Sequence, residues 1–223
     1  MRMTIIGSVT ALAALAAAGP AAAKTVEVIG GETRVSLALE ALAANGLELA
    51  GVTPAVDVGG DGSVGFAINE VSGTPPGVLP TTFAFDTDDP FNTLSGTIEH
   101  TGSVLFNAEG VIVGNFTIAS EGGVDFSVTD NVGLGITLFD AVASNVEISP
   151  GKLLVEGDLF VSSAFADVLQ AAGFTMNDLA GVDVGDFATS AVVTPLPGAV
   201  VFAGTGLAAL GALRARQRRR REG

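Results

Sequence analysis

The stretch at residues 145–161, NVEISPGKLLVEGDLFV, decides the fold. Apolar side chains fall at every second position in 145–148 and again through 153–161, the period of a strand with one buried face. Between these runs, Ser149-Pro150-Gly151-Lys152 has the residues of a type II turn. Pro150 presets a negative φ, and Gly151 accepts the positive φ required at the next position.

The same pattern extends outward in both directions. Upstream, half-buried runs occur at 25–29, 33–37, 63–69, 81–85, 96–100, 103–106, 111–118, 124–128 and 135–139; downstream, one spans 182–193. Short strands spaced by turns predict a mainly-β body, an antiparallel β-sandwich or barrel. Asn107-Ala108-Glu109-Gly110 and Thr101-Gly102 read as hairpin connections. Thirteen Phe, in a chain without Trp or Tyr, read as core filling. Two short helices interrupt the strands. Residues 39–45 are rich in Ala and Leu and stop at Gly46. Ser163 is placed to cap 164–172, which stops at Gly173. Ala50-Gly51-Val52 and Ala180-Gly181-Val182, each following a helix, form a faint internal repeat that chance explains equally well. Residues 73–80, with Pro75, Pro76 and Pro80, read as a surface loop within one domain of residues 24–193.

Charge is distributed unevenly over the 223 residues. The whole chain has a formal net charge of −14, yet residues 24–194 hold three basic and 23 acidic residues, a net charge of −20. Such a body has no basic footprint for a phosphate backbone, so nucleic acid is excluded as a partner. The absence of Cys excludes thiol catalysis, disulfides and cysteine metal sites.

Few residues suggest site chemistry. Asp86, Asp88 and Asp89 lie within four loop positions and are weak candidates for a Ca²⁺ site. A solvated acidic turn is the simpler reading, and the same holds for Asp57 and Asp61 in their glycine-rich loop. No other cofactor is expected. His100 is the one histidine, so a multi-histidine zinc site is impossible; no Gly-x-Ser-x-Gly elbow accompanies it. Haem ligation would also fall to His100, since Tyr and Cys are absent. A hairpin-edge residue with a structural hydrogen bond is the expected role, and no catalytic residue is assigned.

The two ends read as addresses. Residues 1–23 combine Arg2, an apolar stretch at 4–18 and the break Gly19-Pro20, then Ala21-Ala22-Ala23 before Lys24. That is a secretory signal peptide, with Ala21 and Ala23 as the small residues of its cleavage site. Residues 194–223 comprise Thr194-Pro195-Leu196-Pro197-Gly198, an apolar run at 199–213, and a tail containing Arg214, Arg216, Arg218, Arg219, Arg220 and Arg221. As a helix, the 15-residue run would cover about 22 Å, just short of a ~30 Å hydrocarbon core. The arginines would hold its end in the cytoplasm.

This ending resembles the PEP-CTERM sorting signals, and most closely their Val-Pro-Leu-Pro-Ala variant. Pro195, Leu196 and Pro197 match position by position, while Thr194 stands for Val and Gly198 for Ala. The resemblance covers about the last 30 residues. It implies a Gram-negative bacterium, a transient stay in the inner membrane, processing by an exosortase-type transpeptidase, and delivery to the cell surface or exterior. Exopolysaccharide is the surrounding that the resemblance suggests. The body then reads as a structural or adhesive, non-enzymatic surface or matrix protein. A secreted polysaccharide-acting hydrolase and a calcium- or ligand-binding surface module are the alternatives. N-terminal sequencing of exported protein should find Lys24 at the start; a retained Met1 would contradict the signal peptide.

Overall fold

The computed structural model describes residues 25–194, apart from 54–56, 59–62, 73–75 and 108–109; the side chains of Asp57 and Val58 also fall outside the description. Both address segments lie outside the described residues, including Ala21, Ala23, Pro195, Leu196, Pro197, Gly198 and the six tail arginines. No helix among the described residues is long and apolar enough to cross a membrane. Lys24–Leu196 is one compact unit.

The described chain is built on β1 (Thr25–Leu37), β4 (Ser63–Ile68), β9 (Thr117–Gly122), β10 (Asp125–Thr129), β11 (Thr137–Ser149), β12 (Lys152–Val161) and β13 (Asp183–Val193). The short strands β3 (Asp57–Val58), β5 (Ala84–Asp86) and β6 (Thr97–Glu99) complete this sheet. Its order is β3-β4-β1-β13-β12-β11-β10-β9-β6, with β5 on β1, and every pairing is antiparallel. A second sheet has the order β2 (Leu49–Thr53), β7 (Ser103–Phe106), β8 (Val111–Gly114).

The large sheet almost closes on itself. Beyond β6, Ile68 bridges His100, and the Asn69 amide donates to the Glu99 carbonyl at 2.7 Å. On the same side, Thr82 N donates to Thr97 O at 2.9 Å, while Val28 N donates to Phe83 O at 2.9 Å. The stretch before β5 therefore joins β1 to the β6 region. A barrel-like wall results, which leaves few open sheet edges.

Residues 145–161 behave as their pattern requires. Ser149 pairs with Lys152 around Pro150-Gly151, and Gly151 has φ +79°. Along β12, Leu153, Val155, Gly157, Leu159 and Val161 turn inward and are buried. The runs at 25–29 and 33–37 form one continuous strand, bent at Gly30 and Gly31. The run at 111–118 divides in two at Asn115, whose φ of +46° ends β8 before β9 begins. Thr101-Gly102 is not a hairpin connection: it carries the chain from the large sheet into the small one.

Among the described residues there are three short helices, one more than expected. Leu39–Ala44 (α1) ends at Gly46, where φ is +81°. Pro90–Thr93 (α2) is a single turn started by proline, too short to give a helical period. Ser163–Ala171 (α3) is capped by Ser162 rather than Ser163; its Oγ accepts from Phe165 N at 3.1 Å and donates to Thr137 O at 2.6 Å. The suggested repeat does not extend to the fold, since Ala50-Gly51-Val52 lies in β2 while Ala180-Gly181 is a turn before β13.

Among the described residues eight Phe are buried, in keeping with their core role. Phe66 and Phe116 meet edge to face at 5.1 Å, and Phe139 meets Phe165 likewise at 5.8 Å. The wall closes tightly at Gly157: a Cβ there would lie 2.0 Å from Val142 O and 2.8 Å from Ala143 Cα. Because backbone atoms cannot step aside, Gly157→Ala should destabilise the fold by about 1–3 kcal/mol, measured by urea unfolding.

Candidate functional site

Polar side chains collect where β4 and β6 meet. His100 points into the core and is 2% exposed. Its Nε2 lies 2.8 Å from Thr33 Oγ1, and its Nδ1 lies 3.3 Å from the Phe116 carbonyl. A carbonyl can only accept, so Nδ1 carries the hydrogen and Nε2 accepts from the Thr33 hydroxyl. Thr33 and Thr189 face each other across β1 and β13, with their hydroxyls 3.0 Å apart. Since Thr33 spends its proton on His100, Thr189 donates to Thr33. Burial pushes the imidazole pKa down from 6.5 to about 4, against the opposing effect of the Phe116 carbonyl. The ring is therefore neutral at physiological pH. His100 is not the hairpin-edge residue that its sequence position suggests, although its hydrogen bonds are structural as expected. With both nitrogens engaged, neither is left for a metal, a haem iron or a nucleophilic serine. Beside the ring, a cavity of about 70 Å³ lies among Thr33, Phe66, Phe116, Phe126 and Phe187.

On the other side of the same seam is a more polar pocket of about 170 Å³. Glu99, Asn69, Asn115 and Asn131 line it, with Val78 and Leu79 as an apolar wall. Glu99 is 4% exposed, and its Oε2 accepts from the Thr117 hydroxyl at 2.6 Å. That hydroxyl accepts in turn from Asn131 Nδ2 at 2.7 Å. Asn69 ties the wall in place, because its Nδ2 donates to Leu79 O at 2.9 Å and its Oδ1 accepts from Thr101 at 2.9 Å. Asn115 Oδ1 accepts from Gly102 N at 3.2 Å. Loops from four parts of the chain thus converge on one buried carboxylate.

Below this pocket, Asp130 organises the loop after β10 and is fully buried. Its Oδ1 accepts from Gly114 N at 2.6 Å and Val132 N at 3.0 Å. Its Oδ2 accepts from Gly133 N at 3.0 Å, Gly135 N at 3.2 Å and Leu134 N. Burial alone would raise this pKa; the amides of Gly114, Leu134, Val132 and Gly135 outweigh it and hold the group below its usual 3.8.

The acidic turn at Asp86–Asp89 uses its carboxylates internally. Asp86 Oδ1 accepts from Asp88 N at 2.9 Å, and Asp89 Oδ1 accepts from Asn92 Nδ2 at 2.9 Å. Among the described residues, no three His, Cys, Asp or Glu gather as a metal would require. The side chains of Asp57 and Asp61 lie outside the described residues.

The sequence reading missed Glu99, Asn69, Asn131 and Asp130. Asp130 had a local signal, an acid directly before Asn131-Val132-Gly133-Leu134-Gly135, whose glycines let several amides converge. The pocket had none, because its members come from separate parts of the chain.

No protein-family model matches the chain, and no curated protein matches its sequence. Among solved structures, it resembles the C-terminal domain of HtaA from Corynebacterium glutamicum. The TM-score is 0.53 at 12% identity, over 76% of this chain and 99% of that one. At this identity the likeness is one of fold.

His100 and Asp130 fix a pH dependence. Below pH 6.5 the unfolded chain protonates His100, whereas the folded chain resists until about pH 4. Stability should therefore fall across that window by on the order of 3 kcal/mol. Asp130, whose folded pKa is depressed, contributes above its ordinary 3.8 and loses that contribution at still lower pH. Urea midpoints taken between pH 6.5 and 4 should show the decline. In His100→Gln, which removes the titration, the slope over this window should flatten.

Proposed function

We propose that this chain is an exported surface protein whose acidic barrel acts by binding rather than by catalysis. The observation that carries the second part is the state of the lone histidine, buried, neutral and hydrogen-bonded at both nitrogens. With no Cys in the chain and its one imidazole engaged in this way, a thiol and a histidine-activated hydroxyl are not on offer among the described residues. Glu99, a buried carboxylate beside a pocket, suits ligand recognition.

Delivery rests on the two ends of the sequence. The signal peptide directs export, and the PEP-CTERM-like tail holds the precursor in the inner membrane until an exosortase-type enzyme processes it. Six guanidinium groups oppose translocation of the tail, so Pro195-Leu196-Pro197 faces outward, close to the interface. Prolines also favour an extended segment that fits an enzyme cleft. The released body, at net charge −20, then enters the cell-surface or extracellular space. No nucleic acid and no resident cofactor enter this reading.

Fractionation tests it. Pro195→Ala with Pro197→Ala should trap full-length precursor in the inner membrane and leave the body folded. Replacing the arginines by Ser should instead weaken retention and let unprocessed protein through. If both variants are processed and released like the parent, the tail is not a sorting signal.

A further inference from the structure

We infer that the pocket around Glu99 binds a neutral, hydroxyl-rich ligand the size of one pyranose ring. Glu99 is almost fully buried, yet only Oε2 has a hydrogen-bond partner; Oε1 has none among the described residues and lies at the pocket. No fully buried side-chain oxygen among the described residues lacks a partner, so Oε1 is open to the pocket, where a ligand hydroxyl would replace water with a charge-assisted bond. Two further groups lining the pocket lack partners among the described residues: Oδ1 of Asn131, an acceptor, and Nδ2 of Asn115, a donor.

This set of groups selects among ligand classes. Anions are disfavoured because no cationic side chain lines the pocket. A Ca²⁺ ion takes six to eight oxygens, and the pocket offers two free side-chain oxygens. A sugar ring both donates and accepts through its hydroxyls and has an apolar C–H face. Val78 and Leu79 provide the wall for that face, and Leu79 is 55% exposed, with its carbonyl tied to Asn69. The volume, about 170 Å³, holds on the order of five waters, the scale of one ring rather than a chain. The surrounding groups are already fixed: Thr117, Asn131 and Asn69 are hydrogen-bonded to the backbone or to one another, so little side-chain freedom is lost on binding.

This inference rests on the reading of the body as a binding domain and names its ligand class. The test uses the full chain, purified in an amine-oxide detergent that itself carries no sugar. Saturation-transfer NMR is recorded with glucose, mannose, galactose and N-acetylglucosamine, each as the free sugar and as its methyl glycoside. At least one should bind in the millimolar range, and a bound glycoside would mark a chain-linked unit as acceptable. Glu99→Gln can keep the Thr117 bond through its carbonyl oxygen while turning a neutral amide toward the ligand; it should weaken binding about tenfold. Leu79→Ser, at the exposed wall, should weaken it several-fold without changing the melting temperature. That second variant decides the matter if Glu99→Gln fails to fold. Absence of binding by every sugar, or binding unaffected by Leu79→Ser, overturns the inference. So does Glu99-dependent binding of Ca²⁺ or spermidine with no sugar bound. Delivery is scored separately by fractionation, so a sorted protein that binds no sugar removes this site alone.

Discussion

The wall depends on how β1 bends through Gly30 and Gly31, because backbone hydrogen bonds on both edges of this strand join parts of the sheet that a straight strand could not reach together. Before the bend it pairs with β5; beyond it, with β4; along its other edge it pairs with β13. Each buried amide and carbonyl in such a wall needs a partner, since an unpaired one costs as much as a lost hydrogen bond. Gly31 lies so close to β13 that a Cβ would sit 2.3 Å from the Ser190 carbonyl. The bend thus requires glycine both for its φ of +128° and for its space. Two residues later, Thr33 faces inward and begins the polar chain through His100. The closure of the wall and the placement of its buried polar groups share one cause.

That polar chain survives in an apolar core because it is complete. Among the described residues, no fully buried side-chain nitrogen or oxygen lacks a partner. Neutral His100 bridges the Phe116 carbonyl and Thr33, which spares the core an unpaired charge. Asp130 does carry charge in a buried setting, and five backbone amides converge on it. These two arrangements pin the strand ends around the Glu99 pocket, so the pocket's shape is set by groups that serve the fold.

The strands were legible wherever apolar residues alternate over a single stretch, as in 145–161. The alternation did not show where two runs fuse or where one divides. Runs 25–29 and 33–37 fuse because Gly30 and Gly31 bend a strand without ending its pairing. Run 111–118 divides because Asn115 adopts a left-handed φ, which asparagine tolerates and the pattern cannot register. The single turn at Pro90–Thr93 spans little more than one helical period, too short for a repeat to show. Choosing between a barrel and a sandwich required knowing that Ile68 meets His100, a contact between positions far apart in sequence. The same distance hid the pocket: Asn69, Glu99, Asn115 and Asn131 become neighbours only after closure. His100 was visible as a unique residue, but its burial follows from the seam.

The outer face of the wall carries the strain that the interior avoids. Asp158 and Asp186 stand directly opposite each other on β12 and β13, and like charges so placed oppose pairing. Arg34, on the adjacent strand, forms an ion pair with Glu32 at 3.0 Å. With 23 acidic residues against three basic ones in residues 24–194, self-repulsion opposes compaction over the whole surface. A continuous wall around a phenylalanine-rich core supplies the cohesion that offsets this. The same surface charge disfavours adhesion to other anionic surfaces and keeps copies of the protein apart. Attraction to such a body comes either from cationic partners or from local, uncharged contacts. The Glu99 pocket has the second character, with amide groups and an apolar wall around one carboxylate, and the charge of the barrel adds to the exclusion of anions from it.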